Sequence, residues 1–243
     1  NLRYPPRFTL ASTVEEASEL LSTRSFDLII MMPAVENSGV FNYAKQIKSV
    51  HATVPVVLLT PFSSEVFHRL YKHEDLSAID YVFSWMGETD LLLAIVKLLE
   101  DKMNVDQDVK SVGVQAILFV EDSIHFYSAL LPYLYKHVFL QSRSFMTEAL
   151  NEHEQMLRMR GRPKILLARN FEEAKSLYDK YQKNLLGLVT DVRFPKDGEL
   201  YARSGIELCE YIREKDKFLP IIIESSEEVN KPKADALQAH FIN

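Results

Sequence analysis

Cysteine is nearly missing from this chain. Cys209 is the single one in 243 residues, which excludes an internal disulfide and leads us to expect a reducing, cytoplasmic setting. Glycine occurs only seven times, and nowhere as the Gly-rich turn that cradles a nucleotide phosphate. Positive charge is in deficit: 28 Lys and Arg face 34 Asp and Glu, for a net charge of −6 and a pI near 5.7. That balance argues against an extended nucleic-acid footprint. No apolar run approaches the roughly 20 residues needed to span a bilayer, and no signal peptide is visible. What remains is a chain with 47% apolar and 26% charged residues, the composition of a globular protein long enough for one large domain or two ordinary ones. It begins at Asn1 without an initiator methionine and stops at "AHFIN", so we expect a piece of something longer.

Short apolar runs alternate with amphipathic stretches, the signal for βαβ units and a parallel sheet. "RFTLA" (7–11), "FDLIIMM", "VPVVLLT" and "IDYVFS" read as strands, with "TVEEASELLSTR", "FNYAKQIKSV", "SEVFHRLYKH" and "ETDLLLAIVKLLEDK" as the intervening helices. A second series runs through "QAILFVEDS", "PKILLAR", "FEEAKSLYDKYQK", "LLGLVTDV", "GIELCEYIREK", "LPIIIESS" and "HFIN". The two series match in order: "RFTLASTVEEASEL" with "KILLARNFEEAKSL", "YAKQIK" with "LCEYIR", and "VPVVLLT" with "LPIIIES". We therefore expect a duplication: residues 1–103 as one α/β domain lacking its first strand, 104–114 as a polar linker, and 115–243 as a second domain reaching only its fifth strand. Each would be a doubly wound, flavodoxin-like unit with parallel strand order 2-1-3-4-5, which binds ligands at the carboxyl ends of its strands.

Acidic residues of the second copy fall at such ends. Glu121 and Asp122 follow "AILFV", and Asp191 follows "LLGLVT". Like charges about 4 Å apart repel by roughly 4 kcal/mol at an effective dielectric of 20, so the cluster calls for a cation or shifted pKa values. An oxygen-only ligand set suits Mg²⁺ better than zinc or copper.

The pattern "FVEDS", then Asp191 with Pro195 four residues on, then Ser225 five after Pro220 in "LPIIIESS", resembles the receiver domains of two-component response regulators. The resemblance implies that Asp191 accepts a phosphoryl group. It implies that Glu121, Asp122, Asp191 and the backbone carbonyl of Arg193 hold Mg²⁺, and that Ser225 bonds the phosphoryl oxygens. Phe241 would be the aromatic three residues before the family's lysine, which falls one past Asn243. In the first copy the same template puts Met32 at the acceptor position, with Thr60, Tyr81 and Ser84 at the hydroxyl, aromatic and lysine positions. A thioether neither carries phosphate nor binds Mg²⁺, so that copy reads as a pseudo-receiver. The series "VEDS…LPYLY…RMRGRPKILL…DVRFPKDGEL" is also similar to the amino-terminal region of bacterial phosphoenolpyruvate synthase and pyruvate-phosphate dikinase-like proteins. That similarity makes the rest of such a parent chain the expected partner, with a histidine kinase or small acyl phosphate as donor, no nucleic acid and no membrane, and room for a homodimer.

Two departures stand out: "KDGELYARS" lengthens the loop after Asp191, and residues 123–162 are too long for one first helix. We expect that segment to break near "LQSRS", with its second part below the sheet. Other features read as structural: "RMRGRPK" as a solvated helix end, His68 and His73 as surface residues, His125 as an unreactive residue at a helix start, Cys209 as a core thiol, and "HFYSALLPYLYKHVF" as core contact. The leading expectation is a phosphorylation-responsive module. A non-phosphorylated scaffold is the alternative, and a dehalogenase-type phosphatase ranks last because Arg193 stands where that chemistry needs a second acid.

Overall fold

A computed structural model describes residues 6–33, 39–61, 74–146 and 161–243. The chain divides into two compact units, residues 1–92 and 93–243. Both are α/β with parallel sheets.

In the first unit, α1 (Val14–Thr23) precedes β1 (Ile29–Met31), α2 (Gly39–Val50), β2 (Val56–Thr60) and β3 (Tyr81–Ser84). The strands form a parallel sheet in the order β1-β2-β3. All five residues of β2 are buried, as expected of a central strand covered on both faces. "RFTLA" does not form the expected strand: it has no regular structure, and Phe8 and Leu10 are exposed. No described strand pairs with it. A strand without a ladder partner leaves its backbone groups to water. The helix expected over "SEVFHRLYKH" lies outside the described residues.

Helix α3 (Asp90–Val112) runs through most of the segment expected as a linker. Gly113, at φ +65°, ends it, with its N–H bonded to the Val109 carbonyl at 3.0 Å, the usual left-handed helix stop. The second unit continues with β4 (Ala116–Val120), α4 (Ile124–Met146), β5 (Lys164–Ala168), α5 (Phe171–Tyr181), β6 (Leu185–Asp191), β7 (Phe194–Lys196), β8 (Glu199–Tyr201), α6 (Ser204–Lys215), β9 (Ile221–Glu224), α7 (Lys231–Ala236) and β10 (His240–Ile242). Strands β10-β9-β6-β4-β5 make a parallel five-stranded sheet. Helix α4 does not break at "LQSRS" but continues to Met146 despite Pro132. That stretch contains neither Gly nor a second Pro to stop it, and residues 147–160 lie outside the description.

The same bonds recur in both units. Thr13 caps α1 by accepting from the Glu16 N–H (3.1 Å) while Glu16 accepts from the Ser12 N–H (2.7 Å); Asn170 and Glu173 do the same for α5 with Arg169. These are reciprocal caps of the capping-box kind. Ile29 aligns with Val56 and Val57 with Tyr81, as Leu188 aligns with Ile221 and Ile222 with His240. His240, rather than the expected Phe241, therefore stands at the position of Tyr81.

"RMRGRPK" is not a solvated helix end where it is described. Arg162 and Lys164 are buried. The Arg162 guanidinium forks onto the fully buried carboxylate of Asp101 (Nη1–Oδ2 3.0 Å), which also accepts from Tyr135 Oη and the Ile165 N–H, each at 3.0 Å. Lys164 pairs with Asp108 at 2.7 Å. Arg158 and Arg160 lie outside the described residues, as do His68 and His73. Cys209 is buried as expected, and burial pushes its thiol up to about 12. The aromatic segment divides: Tyr127 and Tyr135 are buried, Phe126 and Tyr133 exposed.

Candidate metal centre

Strands β4 and β6 are hydrogen-bonded neighbours, with Val120 level with Thr190. Their next residues, Glu121 and Asp191, therefore emerge side by side at the carboxyl edge, and Asp122 follows. One carboxylate oxygen from each of Glu121, Asp122 and Asp191 lies within 4.8 Å of the others, the only such grouping of potential metal ligands among the described residues. Glu121 is buried and the other two are half-buried. The Ser123 N–H donates to Glu121 Oε1 at 2.9 Å, and the Val192 N–H donates to Asp191 Oδ1 at 2.7 Å.

Burial dominates the electrostatics. It pushes Glu121 up to about 8 against the opposing Ser123 N–H, and the charges of Asp191, Asp122 and Glu224 push the same way. Asp122 rises to about 6, again mainly through burial, with Asp191 adding to the shift and Arg193 opposing it. Asp191 is raised by burial, against the N–H groups of Val192 and Arg193 and the Arg193 charge. Carboxylates held this way are short of positive charge, and a small oxygen-seeking cation fits the donor set.

Sequence reasoning missed Glu224. It lies level with Asp191 on β9, and burial together with the Asp191 charge raises it. The Arg193 side chain is exposed and was expected to contribute only its carbonyl; its charge also offsets Asp122 and Asp191.

Ser225 is buried one residue past Glu224. Its Oγ accepts from Asn230 Nδ2 (3.1 Å) and from the Glu227 N–H (3.2 Å), and Lys233 Nζ reaches Asn230 Oδ1 at 3.2 Å. Asn230 was invisible to sequence reasoning, because nothing local marks a buried amide in a short loop.

The long loop after Asp191 folds into the β7–β8 hairpin, turning at Asp197 and Gly198, both at positive φ, as a two-residue Asp-Gly turn prefers. The hairpin is anchored to helices: the Asp197 N–H donates to Glu172 Oε1 at 3.0 Å, and Lys196 pairs with Glu207 at 2.5 Å. After it, Gly205 in the first turn of α6 packs on β6 so closely that a Cβ would lie 2.0 Å from the Asp191 carbonyl oxygen.

In the first unit, Met32 stands three residues past Ile29 as Asp191 stands three past Leu188, and it is exposed. Thr60 and Ser84 are buried and level with one another at the ends of β2 and β3, and Tyr81 is buried. No family model matches the chain, and no curated protein matches it. No helix of the described residues is long and apolar enough to cross a membrane.

Proposed function

We propose that the second unit is a receiver-type regulatory module in which Asp191 accepts a phosphoryl group, with Mg²⁺ held by Glu121, Asp122, Asp191 and the Arg193 carbonyl. The observation that carries this reading is the convergence of three carboxylates from adjacent strand ends. It is supported by the sheet order: counted from its own first strand, β10-β9-β6-β4-β5 reads 5-4-3-1-2, the flavodoxin-like winding with its ligand edge at the first and third strands.

The ion would neutralise charge on the carboxylates and on the transferring group. An Asp191 oxygen attacks the phosphorus of an acyl phosphate; the P–O bond to the acyl group breaks, and a free carboxylate leaves. Both bonds seen at Ser225 use its oxygen lone pairs, so its proton is the group to offer a phosphoryl oxygen. The first unit acts as a pseudo-receiver, and the output partner is the remainder of a parent phosphotransferase of the phosphoenolpyruvate synthase type.

The test is intact mass spectrometry of the chain after incubation with Mg²⁺ and a small acyl phosphate. One added phosphoryl group, lost in Asp191→Asn, is the expected result. The scaffold alternative is favoured by the exposed Met32 of the first unit, which lacks any acceptor chemistry. It becomes the better reading if no acyl phosphate adds mass while Mg²⁺ still binds.

A further inference from the structure

Ser225 is fixed from two sides. Its N–H donates to the Ile242 carbonyl of β10 at 3.0 Å, while its Oγ accepts from Asn230 Nδ2 at 3.1 Å and from the Glu227 N–H at 3.2 Å. Asn230 closes the turn before α7 and is only 6% exposed. A buried amide is unfavourable unless its polar atoms find partners. The second partner here is Lys233, whose Nζ donates to Asn230 Oδ1 at 3.2 Å.

The ammonium decides which way the amide faces. A lysine can only donate, so it selects the carbonyl side of Asn230 and leaves the NH₂ side toward Ser225. A hydroxyl has two lone pairs and one proton. Asn230 Nδ2 and the Glu227 N–H occupy the lone pairs, so the proton keeps one direction. The Lys233 charge also polarises the amide and strengthens the bond it makes to Oγ. Glu224 stands level with Asp191 and Ser225 follows it, which puts the hydroxyl at the same carboxyl edge as the acids.

We propose that Asn230 is a positioning residue for the phosphoryl site: with its amide fixed by Lys233, it holds the Ser225 hydroxyl so that the proton meets the group bound on Asp191. The inference rests on the receiver-type reading of Asp191. Neither Asn230 nor Lys233 has to touch phosphate or Mg²⁺; both act through Ser225.

Timed intact-mass measurements of the chain with Mg²⁺ and a small acyl phosphate test this. Asn230→Asp keeps the side-chain shape but turns the donor into an acceptor, so the Ser225 proton swings back toward it. Uptake should slow at least about tenfold, with Mg²⁺ affinity, read from thermal shifts, within about threefold of wild type. Lys233→Met should slow uptake about two- to fivefold, and Lys233→Arg, which keeps a donor-only cation, should restore it. A disturbed loop could slow uptake too, so the deciding comparison is a double variant. Once Ser225→Ala has removed the hydroxyl, Asn230→Asp should have no further effect. Equal slowing in both backgrounds, or wild-type uptake in Asn230→Asp, overturns the inference and leaves the reading of Asp191 standing. If Asn230→Asp unfolds at clearly lower urea, the substitutions of the exposed Lys233 decide instead: Lys233→Met as fast as Lys233→Arg overturns the proposal. A wild-type chain that binds Mg²⁺ yet takes up no phosphate from any acyl phosphate overturns the reading of Asp191, and this inference with it.

Discussion

Gly205 has no room for a side chain, because the position of its missing Cβ lies 2.0 Å from the Asp191 carbonyl oxygen. Gly205→Ala must therefore push α6 off β6. We expect a loss of about 3 kcal/mol or more in urea unfolding, together with weakened Mg²⁺ binding. At the acids the sign is reversed. In Asp191→Asn a half-buried charge disappears from beside Glu121 and Glu224, and the metal-free protein should melt higher than wild type. A lower melting temperature would mean that the cluster is already neutralised by a partner other than Arg193. Glu121 also sets a pH dependence. Its value in the folded protein, about 8, lies above its ordinary 4.5, so the neutral form is the one folding favours. The associated stability is full below about pH 4.5 and is lost as pH rises through about 8. Melting of the metal-free chain should fall across that window, and Glu121→Gln should flatten the curve.

At the scale of elements, α3 is bolted to the base of the second unit by the buried Asp101 carboxylate and its three donors. Asp101→Asn leaves the Arg162 charge buried without its counter-ion and should cost about 3–5 kcal/mol. Tyr178 makes a useful contrast. Its hydroxyl is buried and has no hydrogen-bond partner among the described residues, so Tyr178→Phe should be neutral or stabilising by about 1 kcal/mol. Denaturant midpoints of the two variants, compared with wild type, check both signs. A marked loss in Tyr178→Phe would point to an ordered water on that hydroxyl.

For the whole molecule, the boundary of the second unit is a matter of energetics. Compactness places it after Leu92, whereas composition suggested a linker at 104–114. A fragment of residues 104–243 lacks Asp101 and strands Arg162; one of residues 90–243 keeps the whole of α3. The shorter fragment should unfold at clearly lower urea, and equal midpoints would show that α3 contributes nothing to the unit. Mg²⁺ near ten times its dissociation constant should stabilise the full chain by roughly 1.4 kcal/mol. That shift should vanish when Glu121, Asp122 and Asp191 are all replaced by their amides.

Residues 164–168 and 116–120 declared themselves as strands because continuous apolar runs have few other uses, and caps such as Asn170–Glu173 are written within four residues. The acids at 121, 122 and 191 were legible for the same reason: they directly follow such runs, and parallel pairing brings the ends of adjacent runs together. Three things depended on contacts between distant segments. "RFTLA" has a strand's composition, yet no described strand pairs with it. Arg162 and Lys164 look like surface cations until Asp101 and Asp108, more than fifty residues earlier, arrive to pair with them. Glu224 joins the acids, and Asn230 holds Ser225, only through the register of β6 against β9 and the path of a short loop. Local pattern determines which segments become strands and helices; burial and pairing between remote residues decide which charges lie inside, and which strands find partners.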